Sequence, residues 1–597
     1  MASQTESTLS VADARETLTA YASRTQLAVL GITLVALVAR LAGLGARVAH
    51  QDEARVAYWA LRYAETGVYE YRPIVHGPFL TIVNGNLFEL LGPSDFTMRL
   101  VVALIGGLLP LAALLFRQRL RASETVALAA LLAANPVLLY YSRFYRNDLL
   151  LAGFVLIALG FFVRAYDHRR PAFLYAGTAA LALAFTTKEN ALVYPVCWIG
   201  AAALLWDHRL FTERAGERGL LGAVWVRAKT TAVGVWDWLG HFALAVVEFF
   251  AIVVFFYAPR KPGLMPDYPS PTVDNDVPGL YEAVGDPTLL ATVVEHATLG
   301  SWHDFRYQWG SGNEESYLAA AKALWPVIEE GAIVLVILAV VGLVVDRYAG
   351  ERPRDVVAFT AYWGFASALG YPVIVDNPFP WEVIHIIVPL VVPAAVALAL
   401  VGRVGVASVA DGDAVSATLV GVILLAVAAQ VGATAVDTAY VHAQSDDNEL
   451  VQYAQSSSEM KPVLREVRDV AASNEGIDVI YYGSEFDSAD ESSHDVPPAP
   501  RGSGWFARLP YAWYMEAYGV EHDSTADPDV IASMDDKPPV VVALAEADTC
   551  SEGYDRAADV DQYLGGYDRH VVQRYLHDSG CTVSSTAIYV DRNATRR

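Results

Sequence analysis

The chain is poor in charge, in lysine and in cysteine. Only 18% of its 597 residues are charged, against 54% hydrophobic, and the mean hydropathy is +0.32. A soluble chain of this length divides into several modest domains with a larger charged share. The shortage of charge therefore excludes a soluble enzyme, a coiled coil and a disordered scaffold. Lysine occurs only at Lys188, Lys229, Lys261, Lys322, Lys461 and Lys537, and the formal net charge is −24. That deficit of cations excludes a cationic nucleic-acid surface, so no nucleic-acid partner is expected. Scarce lysine with an acidic surplus is the composition expected of a halophilic archaeal protein, whose self-repulsion is screened by salt. Of the three cysteines, Cys197 lies in an apolar run and reads as core. Cys550 and Cys581 lie beyond the last such run and leave room for one disulfide on an oxidising face.

What the chain does have is apolar runs near the length needed to cross a bilayer core of roughly 30 Å. They predict a polytopic α-helical membrane protein with about eleven spans, at 25–48, 98–116, 124–141, 149–166, 172–187, 190–206, 241–257, 325–345, 355–374, 383–402 and 416–438. Residues 1–24 are polar and the first apolar run is too long for a signal-peptide core, so no cleavable signal is expected. With the N-terminal tail inside, the cytoplasmic loops collect Arg117, Arg119 and Arg121, then Arg164, Arg169 and Arg170, then Arg209, Arg214, Arg218, Arg227 and Lys229, then Arg347, Arg352 and Arg354. This follows the positive-inside rule. It yields a cytoplasmic tail (1–24), a transmembrane domain (25–439) with long exterior loops at 49–97 and 258–324, and an extracellular domain (440–597).

That last domain shifts to Asp, Ser, Glu and Pro, and its apolar runs shorten. Asn448–Ala472 reads as an amphipathic helix; Ile477–Tyr482, Pro539–Leu544 and Thr586–Val590 read as strands. A small α/β domain is expected, and no internal repeat is visible.

Polar clusters gather at the exterior membrane boundary, where ionisable groups are costly and their convergence marks a site. The first exterior loop runs from His50-Gln51-Asp52-Glu53-Ala54-Arg55 to His76-Gly77-Pro78-Phe79. It starts where the first span ends, which sets Asp52 and Glu53 against the protein wall, where partial desolvation makes a carboxylate a better base. The same pattern also reads as an acidic helix N-terminus opening the amphipathic stretch Ala54–Ala64. Between spans three and four lies Tyr141-Ser142-Arg143-Phe144-Tyr145-Arg146-Asn147-Asp148. Arginine matches phosphate geometry, so Arg143 and Arg146 are candidates for a lipid-phosphate headgroup; the plainer reading is a snorkelling arginine and a capping Asn147 or Asp148. At the next exterior turn, Lys188 either neutralises a phosphate or pairs with Glu189. Later loops add Glu295, His296, Trp302, His303, Asp304, Arg306 and Tyr307, then Asp376 to Glu382 and His385.

These strings, in this order, resemble GT-C membrane glycosyltransferases of the protein O-mannosyltransferase and lipid A aminoarabinose transferase type. Asp52-Glu53 is similar to their first acidic motif, Ser142 to Asp148 to the second, and Thr186-Thr187-Lys188-Glu189 to the turn that follows. The combination of Asp-Glu-Ala, His-Gly-Pro-Phe, Ser-Arg-Phe-Tyr-Arg-Asn-Asp and Thr-Lys-Glu-Asn most resembles the archaeal flippase activity-associated membrane family, over residues 25–400. A Trp-Trp-Asp-Tyr-Gly string is absent from the tail, which argues against an oligosaccharyltransferase. The resemblance implies a GT-C-like fold and inverting transfer of one sugar from a polyprenyl (dolichyl) phosphate carrier to a glycan or protein acceptor. It implies Asp52 as general base, Glu53 positioning it or sharing a metal, and Asp148 as the second acid. Arg143, Arg146 and Lys188, with Glu189 beside them, would meet the departing phosphate. His76, Trp302, His303 and His385 would contact acceptor or headgroup. No ligand spacing demands a metal, and a divalent cation is left open.

The alternative from the same residues is a non-catalytic helper that binds or moves lipid-linked sugars across the membrane, since binding and cleaving a lipid phosphate need the same cations. Asn593-Ala594-Thr595 matches a glycosylation acceptor, a triplet common by chance.

Overall fold

The computed structural model describes residues 23–71, 73, 77–213, 222, 229, 236–261, 277–309, 316–349, 353–374, 379–452, 454–488, 504–545, 555–576 and 584–594. Among the described residues, eight helices are long and apolar enough to cross a bilayer, from Arg24–Leu41 to Ala414–Val441. A ninth arises if Tyr317–Gly331 and Ile333–Tyr348, bent by 89° at their junction, form one broken span. Two shorter apolar helices, Ala122–Ala134 and Pro171–Phe185, fall on two of the expected spans. The chain is a multi-pass membrane protein.

Several expected elements differ in detail. The span expected at 98–116 starts at Asp95, because Ser94 caps it by accepting the Thr97 N–H (3.1 Å). The span expected at 124–141 breaks at Asn135-Pro136, where proline cannot donate to the helix. The expected 325–345 bends at Gly331, and the two breaks are stitched together: Asn135 Nδ2 donates to the Gly331 carbonyl at 3.1 Å. A Cβ on Gly331 would lie 2.6 Å from a Val137 methyl, so only glycine permits this approach. The loop expected at 49–97 holds two helices, Gln51–Thr66, ended by Gly67 in the left-handed region, and Pro78–Leu91.

In the C-terminal domain the helix runs over Met460–Ala471 rather than from Asn448. Residues 448–452 and 454–459 turn instead: Asn448 Nδ2 donates to the carbonyls of Thr438 (3.0 Å) and His442 (2.9 Å), and the Ser457 N–H donates to Gln573 O (3.0 Å). Among the described residues five strands form one sheet: β1 (Val479–Tyr482), β2 (His522–Thr525), β3 (Val540–Leu544), β4 (Tyr567–Tyr575) and β5 (Ser584–Asp591), in the order β2-β1-β3-β5-β4. β1 pairs parallel with β2 and β3, and β5 pairs antiparallel with β3 and β4. The three strands legible as apolar runs occupy the centre; β2 and β4 are the edges, and their polar sequences carry no such signal.

Alternation along the strands divides two cores. Val540, Val542, Leu544, Ile588 and Val590 join the helix residues Met460, Leu464 and Val467 in an apolar cluster continuous with the membrane helices. Val541, Ala543, Ala587 and Tyr589 face the other way, onto Val560 and Leu564. Cys197 is buried as expected; Cys550 and Cys581 lie outside the described residues.

Candidate active site

The Gln51–Thr66 helix opens on a capping box. His50 accepts the Asp52 N–H on Nδ1 (3.0 Å), and Glu53 Oε2 accepts the His50 N–H (3.0 Å). Burial pushes the His50 ring down to about 4, against the pull of Asp52 and Glu53, which keeps Nδ1 an acceptor at neutral pH.

Glu53 is fully buried and does more than cap. Arg99 donates to both its oxygens (2.8 and 2.7 Å), Arg47 donates at 3.0 Å, and the Tyr145 N–H donates at 2.7 Å. Burial alone would raise this carboxyl, but Arg47, Arg99 and the hydrogen bonds overcome it and hold the group at about 2. All its acceptor capacity is committed to the protein. Glu53 is a structural anchor, and the role of sharing a metal with Asp52 does not fit its surroundings.

Asp52, one residue earlier, faces a different set of groups. Its side chain retains 28% exposure and pairs with Arg146. The Arg146 guanidinium also lies 3.4 Å from Asp148 and stacks 3.5 Å from the Trp381 ring centroid. Asp148, the first residue of the Asp148–His168 helix, accepts from Lys188 Nζ at 2.6 Å and lies 3.2 Å from His385 Nε2. Lys188 donates in turn to Glu382 at 2.9 Å. Burial opposes the Lys188 charge, but Asp148 and Glu382 more than offset it, so the ammonium stays above its ordinary value. His385 is fixed at its edge by Tyr194 (2.5 Å to Nδ1) and on one face by the near-parallel ring of Tyr371, centroids 4.6 Å apart. Asp52, Arg146, Asp148, Lys188, Glu382 and His385 thus form one continuous ionic chain drawn from four separate segments.

The turn bearing Lys188 is clamped to the His-Gly-Pro-Phe string. The N–H groups of Gly77 and Phe79 donate to Thr187 O (3.0 Å) and Thr186 O (2.9 Å), and a Cβ on Gly77 would meet Thr186 O at 2.4 Å. Beyond Lys188 opens an apolar cavity of about 320 Å³, lined by Tyr71, Phe249, Tyr257, Glu189, Trp302 and Phe305 among others. Glu189 does not pair with Lys188; it accepts the Tyr71 hydroxyl at 2.8 Å.

Other expected site residues lie elsewhere. Arg143 does not reach the ionic chain. It donates to the carbonyls of Ala39 (3.0 Å), Arg40 (3.0 Å), Ala42 (2.6 Å) and Gly43 (3.2 Å), closing the end of the Arg24–Leu41 helix, and it stacks on Tyr440. A cation there satisfies orphan carbonyls and the helix dipole. Asn147 makes no cap hydrogen bond. His303 is exposed on the Ser301–Trp309 helix, and His76 lies outside the described residues. Arg47 and Arg99 were not singled out by sequence, and Trp381 and Glu382 entered only as members of the polar segment from Asp376 to Glu382. Arg99 had a signal, an arginine inside an expected span, which is costly unless paired; Glu382 belonged to a segment already marked as polar.

Asp148, Glu382 and His385 each offer a ligand atom within 4.8 Å of the others. That carboxylate and imidazole set suits a divalent cation, although Lys188 now bridges two of its members.

Over residues 75–229 the chain matches the family described as dolichyl-phosphate-mannose-protein mannosyltransferase. Over residues 460–591 it matches the Agl23 flippase-associated protein C-terminal domain. The first match spans Arg146, Asp148 and Lys188; the second spans the sheet domain. No curated protein matches the chain. Among solved structures, it is similar to ArnT from Cupriavidus metallidurans bound to undecaprenyl phosphate, at 17% identity over 95% of this chain and 98% of that one, with a TM-score of 0.50. The apo form of the same protein aligns at 15% identity over 94% and 97%, TM-score 0.50. The oligosaccharyltransferase AglB from Archaeoglobus fulgidus, in complex with an inhibitory peptide and a dolichol-phosphate, aligns at 13% over 91% and 72%, TM-score 0.48. The GT-C-like fold expected from the ordered strings is the fold found, with a small C-terminal sheet domain attached.

Proposed function

We propose that the protein transfers a sugar from a polyprenyl-phosphate carrier to an acceptor hydroxyl at the exterior face, with inversion, using Asp52 as general base. The observation that carries this reading is the ionic chain itself. It starts at the partly exposed Asp52, passes through Arg146 and Asp148, and reaches Lys188 on the rim of an apolar cavity. A lipid-linked sugar needs an apolar place for its first isoprenes, cations for its phosphate and a base on the far side of the anomeric carbon. Those three features occur here in that order.

In the step itself the acceptor oxygen attacks the anomeric carbon, its proton passes to Asp52, and the bond from that carbon to the phosphate oxygen breaks. The electron pair leaves with the polyprenyl phosphate, whose growing charge Arg146 and Lys188 offset. Both cations are already bound to carboxylates, so an entering phosphate competes with Asp148 and Glu382 for them. A divalent cation bound by Asp148, Glu382 and His385 would supply further charge stabilisation to the phosphate. The mannosyltransferase match over residues 75–229 and the ArnT-like fold support the reaction class. The orientation of the C-terminal domain to the exterior rests on the arginine distribution in the loops.

One observation favours the second reading, a non-catalytic helper of lipid-linked sugar translocation: the match of residues 460–591 to a flippase-associated domain. Purified protein mixed with radiolabelled sugar on a polyprenyl phosphate separates the two. Release of label to an acceptor or to water supports the transferase; tight donor binding with no release over many hours supports the helper.

A further inference from the structure

The segment between the Arg24–Leu41 helix and the Gln51–Thr66 helix has no regular secondary structure, and residues 47–50, with the N–H of Gln51, must find backbone partners elsewhere. They find them on two sides. From the membrane domain, Arg99 donates to the carbonyls of Leu44 (3.3 Å), Arg47 (2.9 Å) and Val48 (3.3 Å). From beyond the last membrane helix come four more groups. The Val48 N–H donates to Gln444 Oε1 (3.2 Å), the Ala49 N–H to the Tyr514 hydroxyl (2.7 Å) and the Gln51 N–H to Ala454 O (3.3 Å). Gln455 Nε2 donates to Val48 O at 3.2 Å, and Gln455 Oε1 accepts from Arg47 at 2.9 Å.

Tyr514 is the centre of this contact. It is buried on the Tyr511–Tyr518 helix, and while accepting from Ala49 it donates its own proton to Asp95 Oδ1 at 3.0 Å. The other Asp95 oxygen holds Lys461 of the Met460–Ala471 helix. Asp95 begins the helix that carries Arg99, and Arg99 holds Glu53. The backbone leading to Asp52 is therefore gripped between a membrane helix on one side and, on the other, the Tyr511–Tyr518 helix and the turns bearing Gln444, Ala454 and Gln455.

We propose that the C-terminal domain is a clamp that sets the position of the Asp52 carboxylate, with Tyr514 as its main positioning residue. Tyr514 touches no reacting atom; it acts through Ala49 and His50. This rests on the reading of Asp52 as the base, but the clamp has a readout of its own. A shift of about 1 Å in a reacting group costs on the order of 10²-fold in rate, whereas donor binding depends on Arg146, Lys188 and the apolar cavity, none of which Tyr514 contacts.

The test uses the full-length protein in detergent or nanodiscs, with Tyr514→Phe and the half-buried Gln444→Met as variants. Arg468→Gln, exposed on the same domain, serves as control. Hydrogen–deuterium exchange of the peptide covering residues 47–52 should accelerate about tenfold or more in Tyr514→Phe, less in Gln444→Met and not at all in Arg468→Gln, with global unfolding temperature little changed. Sugar transfer by Tyr514→Phe should lose about 10–100-fold in kcat with the donor KM within about twofold. Unchanged exchange at 47–52 in both variants overturns the clamp whatever the activity. Faster exchange with wild-type kcat also overturns it. If the wild type transfers no sugar, the reaction reading fails, while the exchange result still decides whether the domain holds this segment.

Discussion

Asp52 and Glu53 are adjacent in the chain yet belong to separate ionic networks: Glu53 is bonded to Arg99 at 2.7 Å, while Asp52 pairs with Arg146. Consecutive residues on a helix point about 100° apart, so one turns into the protein and the other towards the ionic chain. An acidic pair that reads as one motif is divided into a buried anchor and a partly exposed carboxylate, the one we propose as the base.

Replacing the anchor should unfold the site. Glu53→Gln leaves Arg47 and Arg99 buried without their counter-charge, and breaking a buried pair costs about 3–5 kcal/mol. Asp52→Asn removes a partly exposed partner and should cost about 1 kcal/mol or less. Thermal unfolding in detergent compares them. A Glu53→Gln protein that melts with the wild type would refute the anchor role.

Acidification should destabilise the folded protein in two stages. An unfolded histidine takes its proton near its ordinary value of about 6.5, whereas folded His50 resists until about 4. The stabilisation is complete above pH 6.5 and is lost as pH falls towards 4. Glu53, held at about 2 against an ordinary 4.5, behaves likewise over the range from 4.5 down to 2. Each is worth on the order of 3 kcal/mol. His50→Gln should flatten only the upper limb of the unfolding temperature against pH. An upper limb identical in variant and wild type would show that another group is responsible.

The arginines should separate by kinetics. Lys188→Met and Arg146→Met each remove a cation from the ionic chain, and the KM for the lipid-linked donor should rise tenfold or more. Arg143→Met removes a helix-end cation and should leave that KM within about twofold, with a stability loss of about 1 kcal/mol. A donor KM raised equally by Arg143→Met would place that residue back at the phosphate.

The sidedness of the C-terminal domain is checked by labelling. In a cysteine-free background, a cysteine at the exposed Ser484 should react with an impermeant maleimide from outside the cell. One at Asp411, in the turn between the last two long helices, should react only after the membrane is opened. Outside labelling of both would invert the topology.

Much of the ionic chain was legible because its residues sit in dense polar strings between apolar runs: Asp52, Arg146, Asp148 and Lys188 stand out wherever charge is rare. What each side chain does was not legible, because it depends on partners far away in sequence. Glu53 becomes an anchor only through Arg99, 46 positions on, and Arg143 becomes a helix cap only because carbonyls about 100 positions earlier end beside it. Lys188 chooses Asp148 and Glu382 over its neighbour Glu189 for the same reason. The central strands of the sheet announced themselves by continuous apolar runs, whereas the edge strands β2 and β4, solvated on one side, did not.

The most direct measurement is single-turnover sugar release from a radiolabelled polyprenyl-phosphate donor by wild-type and Asp52→Asn protein, matched for unfolding temperature. The substitution keeps size and hydrogen-bonding capacity but removes the basic carboxylate. If Asp52 is the general base, the rate falls by about 10²–10⁴-fold while donor binding is retained. Turnover of Asp52→Asn at the wild-type rate would contradict the assignment.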